Sequence, residues 1–211
     1  MDRGQKYIIA IAILFIAGMF TFGVLSQRSN GSNVAAVIKT IDPDTLPGIQ
    51  IGNAPWQPEI DNLKGRLDAI ALPALFEEGS ALHTHQHLDI FINGKSVAVP
   101  ADIGVNELQS FISPIHTHDY SAVIHVESPT IQTFTLGQFF DIWGVRLSEN
   151  CIGGYCSDNQ KTLKVYVNGK LVAGNPRLLE LSEHQEIAVV YGDDAETPNP
   201  IPSSYTFDEG L

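Results

Sequence analysis

Two ten-residue stretches, LDIFINGKSV at 88–97 and LKVYVNGKLV at 163–172, share a leading Leu, the tripeptide Asn-Gly-Lys and a final Val. Asn-Gly between apolar alternations is the strongest short-range mark of a two-residue hairpin, because both central residues must take positive φ. The turn then dictates register. Pairing outward from Asn93-Gly94 sets Ile92 opposite Lys95, Ile90 opposite Val97 and Leu88 opposite Val99. Leu88, Ile90, Val97 and Val99 share one face, and His85, His87 and Asp89 point to the other, with His83 if the strand begins that early. A chain with two such hairpins is committed to building a sheet.

The remaining periodicities fill in that sheet. Ala122, Ile124 and Val126 alternate with Val123, His125 and Glu127 as a third strand, and Ile187 to Tyr191 forms a last one. Between them Thr135 and Gln138 make a capping box before Leu136, Phe139, Phe140 and Trp143, and Gly144 stops that short helix. Upstream, Ile60, Leu63, Leu67 and Ile70 recur at helical spacing from Pro58, with Pro73 as the stop and Gly65 as a weakness. The expected fold class is α+β: a β-rich, β-grasp-like mixed sheet with two Asn-Gly hairpins and a short helix. One N-terminal transmembrane helix is expected to precede it.

That helix is Tyr7 to Leu25, an uncharged run of 19 residues, about enough to cross a hydrocarbon core of roughly 30 Å. Arg3 and Lys6 before it favour a cytoplasmic N-terminus and an exported remainder. Cleavage after Ser26 is the rival, but the apolar run exceeds the usual core of a signal peptide, and either reading exports the rest of the chain. The expected organisation is a membrane anchor at 1–28, a Ser-, Asn-, Gly- and Pro-rich tether at 29–57, an exported domain at 58–192, and an acidic disordered tail at 193–211. The localisation expected is single-pass and membrane-anchored, with the C-terminal domain outside the cytoplasm.

Charge narrows the partners. Of 12 basic and 24 acidic residues only three and one lie in the first 28, leaving nine against 23 in the exported part. Such a surface repels phosphate backbones and gathers cations, so nucleic acid is not expected as a partner. Cys151 and Cys156, in CIGGYC, most simply close a small disulfide loop outside the cytoplasm, with a thiolate metal site as the alternative.

Six of the seven histidines fall within 43 residues: His83, His85, His87, His116, His118 and His125. An H-x-H pair on a strand presents two imidazoles on one face about 7 Å apart at Cα, a spacing that two ligands of one metal accept. Two pairs and a strand histidine of matching alternation predict a metal site built from these six. Asp119, Glu127 and Asp89 are candidates to orient ring nitrogens or to bridge two ions. The plainer reading makes the alternating histidines a solvated strand face; a pH sensor is a third. His184, in a Ser-Glu-His-Gln turn, is expected at the surface.

The combination of H-x-H-L-D-I-F-I-N-G-K, V-P-A-D-I-G, H-T-H-D, V-I-H-V-E and F-T-L-G-Q-F-F-D-I-W-G resembles a group of membrane-anchored, exported microbial proteins, over roughly residues 83–192. The resemblance implies that His85, His87, His116, His118, Asp119, His125 and Glu127 are motif positions, with His83 at their margin. It implies no reaction.

The exported part has no methionine, which excludes a thioether site for Cu(I); imidazoles suit copper(II) or zinc(II), the two cofactors expected. Three functions fit these residues. The first is a membrane-tethered metal-binding protein for capture or delivery of copper or zinc. The second is a histidine-ligated metalloenzyme that activates water for hydrolysis or hydration. The third is a non-catalytic interaction domain with a structural metal. The partners expected are the membrane, through the N-terminal helix, the metal ion, and an unspecified membrane-protein or metal-delivery partner.

Overall fold

In the structure, a computed structural model that describes residues 41–211, the first hairpin joins strand β1 (Leu82–Ile92) to β2 (Lys95–Val97). Asn93 and Gly94 both take positive φ, 51° and 73°, which sets Ile92 against Lys95 and Ile90 against Val97. Two two-residue strands, β3 (Val105–Asn106) and β4 (Phe111–Ile112), pair with each other outside the main sheet. The chain then returns through β5 (Ile115–His116) to β6 (Val123–Ser128). Later come β7 (Cys151–Ile152) and β8 (Tyr155–Cys156), a tight hairpin closed by the Cys151–Cys156 disulfide. The second Asn-Gly hairpin links β9 (Thr162–Val167) to β10 (Lys170–Leu171), with Asn168 and Gly169 again at positive φ. The last strand is β11 (Glu186–Gly192).

The main sheet runs β10-β9-β11-β1-β6-β5, with β2 also on β1. The β1–β11 pair at its centre is parallel and every other pairing in it is antiparallel. β1 is long enough to serve several neighbours: residues 82–87 pair with β6, 90–92 with β2, and 87–92 with β11 on the opposite edge.

One face of this sheet is the core. Leu88 and Ile90 from β1, Ile124 and Val126 from β6, and Ile187 and Val189 from β11 are buried in a single cluster with Phe139, Phe140 and Trp143. Those aromatics belong to helix α2 (Leu136–Trp143), which starts on the capping box of Thr135 and Gln138 and ends on Gly144 in the left-handed conformation. Helix α1 (Leu63–Ala69) adds Leu63 and Leu67 to the same cluster. It also carries Arg66, fully buried, whose guanidinium pairs with Glu59 and donates to the carbonyls of Asp141 (2.7 Å) and Ile142 (3.1 Å). Those carbonyls lie in the last turn of α2, where the Asp141 oxygen also accepts the Gly144 N–H, so a buried cation there is favoured by hydrogen bonding and by the helix dipole together. With α2 covering the apolar face, the alternation of every central strand drives its polar positions to the other face.

Two segments differ from the sequence expectation. Residues 41–57, expected within the tether, lie against the domain: Gln50 N–H donates to Gly144 O (2.7 Å), and Trp56 is 2% exposed, packed edge-on against Trp143 and Tyr155. Gly153, at φ 51°, is what admits that indole, since a Cβ there would sit 2.2 Å from Trp56 Cζ2. The composition of 29–57 averaged over a polar leader and an apolar docking segment. The tail after Gly192, expected to be disordered, has no helix or strand but makes defined contacts: Tyr205 stacks on His87 and Phe207 on His184. Its acids find partners too, Asp194 with Lys164 and Glu196 with Lys161. Among the described residues no helix is long and apolar enough to cross a membrane. The anchor expected at 1–28 and the first part of the tether lie outside the described residues.

Candidate metal centre

Strand register gathers the histidines. His85 on β1 is directly opposite His125 on β6, and His125 is directly opposite His116 on β5. Neighbouring strands are about 4.8 Å apart, so three imidazoles line up across three strands on the polar face. Two residues along, His83 stands opposite Glu127. His118 follows His116 just beyond the end of β5 and its ring reaches back over the row, centroid 4.5 Å from that of His125.

The ligand atoms form two overlapping groups. One atom each from His83, His85, His125 and Glu127 all lie within 4.8 Å of one another, and so do atoms from His116, His118, His125 and Glu127. Each group could hold a metal ion. His83 Nε2 is 3.1 Å from His85 Nε2, and His116 Nε2 is 3.1 Å from His118 Nε2. Ligands of one tetrahedral ion at 2.0–2.1 Å are roughly 3.3 Å apart, so each pair is spaced as a chelate. Glu127 Oε1 lies between the groups, 3.2 Å from His83 Nε2 and 3.3 Å from His125 Nδ1.

Tautomer and charge agree with ligation. His116 Nδ1–H donates to the carbonyl of Ser113 (3.0 Å), which leaves the Nε2 lone pair aimed at the cluster. Burial, then the neighbouring His118, pushes the His116 pKa down to about 3, while the Ser113 bond opposes them. Burial and the His118 and His85 rings lower His125 to about 4. His85 is lowered by burial and by His83. These imidazoles are neutral at neutral pH, the form that binds metals. Glu127 is shifted the opposite way, upward, by burial first and by Glu78 second. A carboxylate buried beside a second carboxylate is unfavourable alone, and a cation between them would offset that cost.

Exposure is graded across the centre. His116, His125, His85 and Glu127 are buried, whereas the side chains of His83 and His118 are 52% and 45% exposed. The site therefore has a closed floor and two flanks open to solvent.

Not every expected residue is in these groups. His87, next in the alternation after His85, faces Val123 on β6 and pairs instead across β11, its Nδ1 2.7 Å from Glu186 Oε2. Asp89 joins that separate group. Asp119 is exposed and its Oδ1 accepts the Ser121 N–H (2.8 Å), closing a local turn outside both histidine groups. His184 is half-exposed on a turn, with Nε2 3.0 Å from the Leu211 carbonyl. Two carboxylates escaped the sequence reading. Glu78, 3.4 Å from His118 Nε2, sits in the loop before β1 beside Glu77, with nothing in the pattern to mark it. Glu186 opens β11, and only the parallel pairing with β1 brings it to His87.

The class these observations define is an α+β protein, dominated by one sheet, with a histidine and glutamate cluster on its polar face that could bind a metal ion. Comparison of the chain with protein-family models, with curated proteins and with solved structures gave no match.

Proposed function

We propose that this chain is a membrane-tethered, extracytoplasmic protein that binds a transition metal, copper or zinc, for capture or delivery. The observation that carries this reading is the convergence of imidazoles from β1, β5 and β6, with Glu127, to within ligand distance of one another. Neutral imidazoles with a single carboxylate suit borderline divalent ions, and the lack of methionine after residue 19 leaves no soft thioether donor. The apolar run at 7–25 supports a membrane anchor, and the acidic surface raises the local cation concentration. The strand order β2-β1-β11-β9-β10, parallel at its centre and covered on one face by α2, supports the β-grasp-like description of the scaffold.

A second reading is favoured by one observation. The exposed flanks at His83 and His118 leave room for water beside the ion, and a metalloenzyme needs such an exchangeable position. In that case Glu127 or Glu78 would act as the general base.

Elemental analysis and titration of the full chain with Zn(II) and Cu(II) test the first reading. His85→Ala and His118→Ala lose metal, and His184→Ala keeps it. Equal retention in all three variants would remove the proposed ligand set. Exchange of bound water, read on the Cu(II) form by electron-spin echo methods, separates a closed storage site from an open catalytic one.

A further inference from the structure

His87, Asp89 and Glu186 form a third group, distinct in residues and in chemistry from the histidine cluster. One ligand atom from each lies within 4.8 Å of the others. The alternation of β1 carries His87 and Asp89 to the polar face, and the parallel register with β11 places Glu186 directly beside His87. His87 and Glu186 are more than nine-tenths buried, at 8% and 1% exposed. Glu186 engages His87 Nδ1 through Oε2, while its other oxygen, Oε1, is buried without a hydrogen-bond partner. A carboxylate oxygen stranded in this way costs free energy unless something electropositive meets it. Burial acts first to raise the pKa of Glu186, with Asp89 adding to the rise and His87 opposing it. The Tyr205 ring lies flat on His87, centroids 3.9 Å apart and planes 7° apart, and so covers that imidazole.

We propose that His87, Asp89 and Glu186 form a second cation site, taking a divalent ion harder than the one in the histidine cluster, with Mn(II) as its representative. Two carboxylates and one imidazole make a donor set dominated by hard oxygen, which suits Mn(II) or Fe(II) and disfavours Cu(I). A bound ion meets the unpartnered Oε1 of Glu186 and neutralises the Asp89–Glu186 pair. Its ligands are not those of the copper or zinc centre, so the proposal stands or falls separately from that reading.

The test is Mn(II) titration of the full chain, monitored by loss of the free Mn(II) electron paramagnetic resonance signal, in the wild type and in Asp89→Asn, Glu186→Gln and His118→Ala. The expected result is one Mn(II) bound by the wild type and by His118→Ala, with affinity lowered at least about tenfold in Asp89→Asn and Glu186→Gln. Asp89 is only half-buried, so its variant keeps the test valid if Glu186→Gln fails to fold. No Mn(II) uptake by the wild type, wild-type affinity in Asp89→Asn, or loss of Mn(II) in His118→Ala would each overturn the proposal.

Discussion

At the scale of single residues, the ring of His116 couples burial to acid sensitivity. An unfolded histidine titrates near 6.5, whereas folded His116 does so at about 3, because burial and His118 disfavour its charged form. Between those values the unfolded chain binds more protons than the folded one, so stability rises with pH across the window. This contribution is complete above about 6.5 and is lost as the pH falls toward 3. Glu127, raised by burial, takes up its proton more readily when folded and works against the loss. We expect the metal-free protein to unfold at lower urea as the pH drops from 7 to 5, and His116→Gln to flatten that dependence by up to about 1.4 kcal/mol per pH unit. Parallel slopes for the two proteins would show that folded His116 takes up its proton over the same pH range as the unfolded chain.

At the scale of elements, the short helix α2 holds the sheet's apolar face and thereby decides which face is left for the histidines. Its start rests on Thr135, whose hydroxyl accepts the Gln138 N–H (3.3 Å), while Gln138 Oε1 accepts the Thr135 N–H (3.0 Å). Thr135→Ala should cost about 1 kcal/mol in urea unfolding and leave metal uptake per folded molecule unchanged. This capping box, both Asn-Gly turns and the strand at 123–128 were legible in the sequence because each is a local pattern whose partners lie within a few residues. The row His85, His125 and His116 was legible only as three polar positions; that they stand abreast depends on the registers of β1 with β6 and of β6 with β5. The split at His87 was not legible. Identical alternation places it with His85, and only the parallel arrival of β11, a pairing across nearly a hundred residues, draws it to Glu186. Glu78 was hidden for the opposite reason, being one of two adjacent acids in a loop that no periodicity orients.

At the scale of the whole molecule, the domain begins earlier and ends later than composition indicates. Trp56 fills a slot floored by Gly153 and walled by Trp143 and Tyr155. Trp56→Ala should therefore cost about 3–5 kcal/mol, read as a fall in the urea midpoint, whereas a tryptophan in a free tether would cost almost nothing. Arg177 plays a similar part inside, with a bidentate pair to Asp141 at 2.9 and 2.7 Å that ties the turn at Pro176–Leu178 to α2.

His125 and Glu127 belong to both histidine groups, and that sharing bears on traffic. If the proposed ion binds, one that traded the 83/85 pair for the 116/118 pair would keep two protein donors throughout, and the crossing would need no fully hydrated intermediate. On the proposed capture-or-delivery reading, arrival from one flank and departure from the other would become a relay over a few ångströms, with no net release in between.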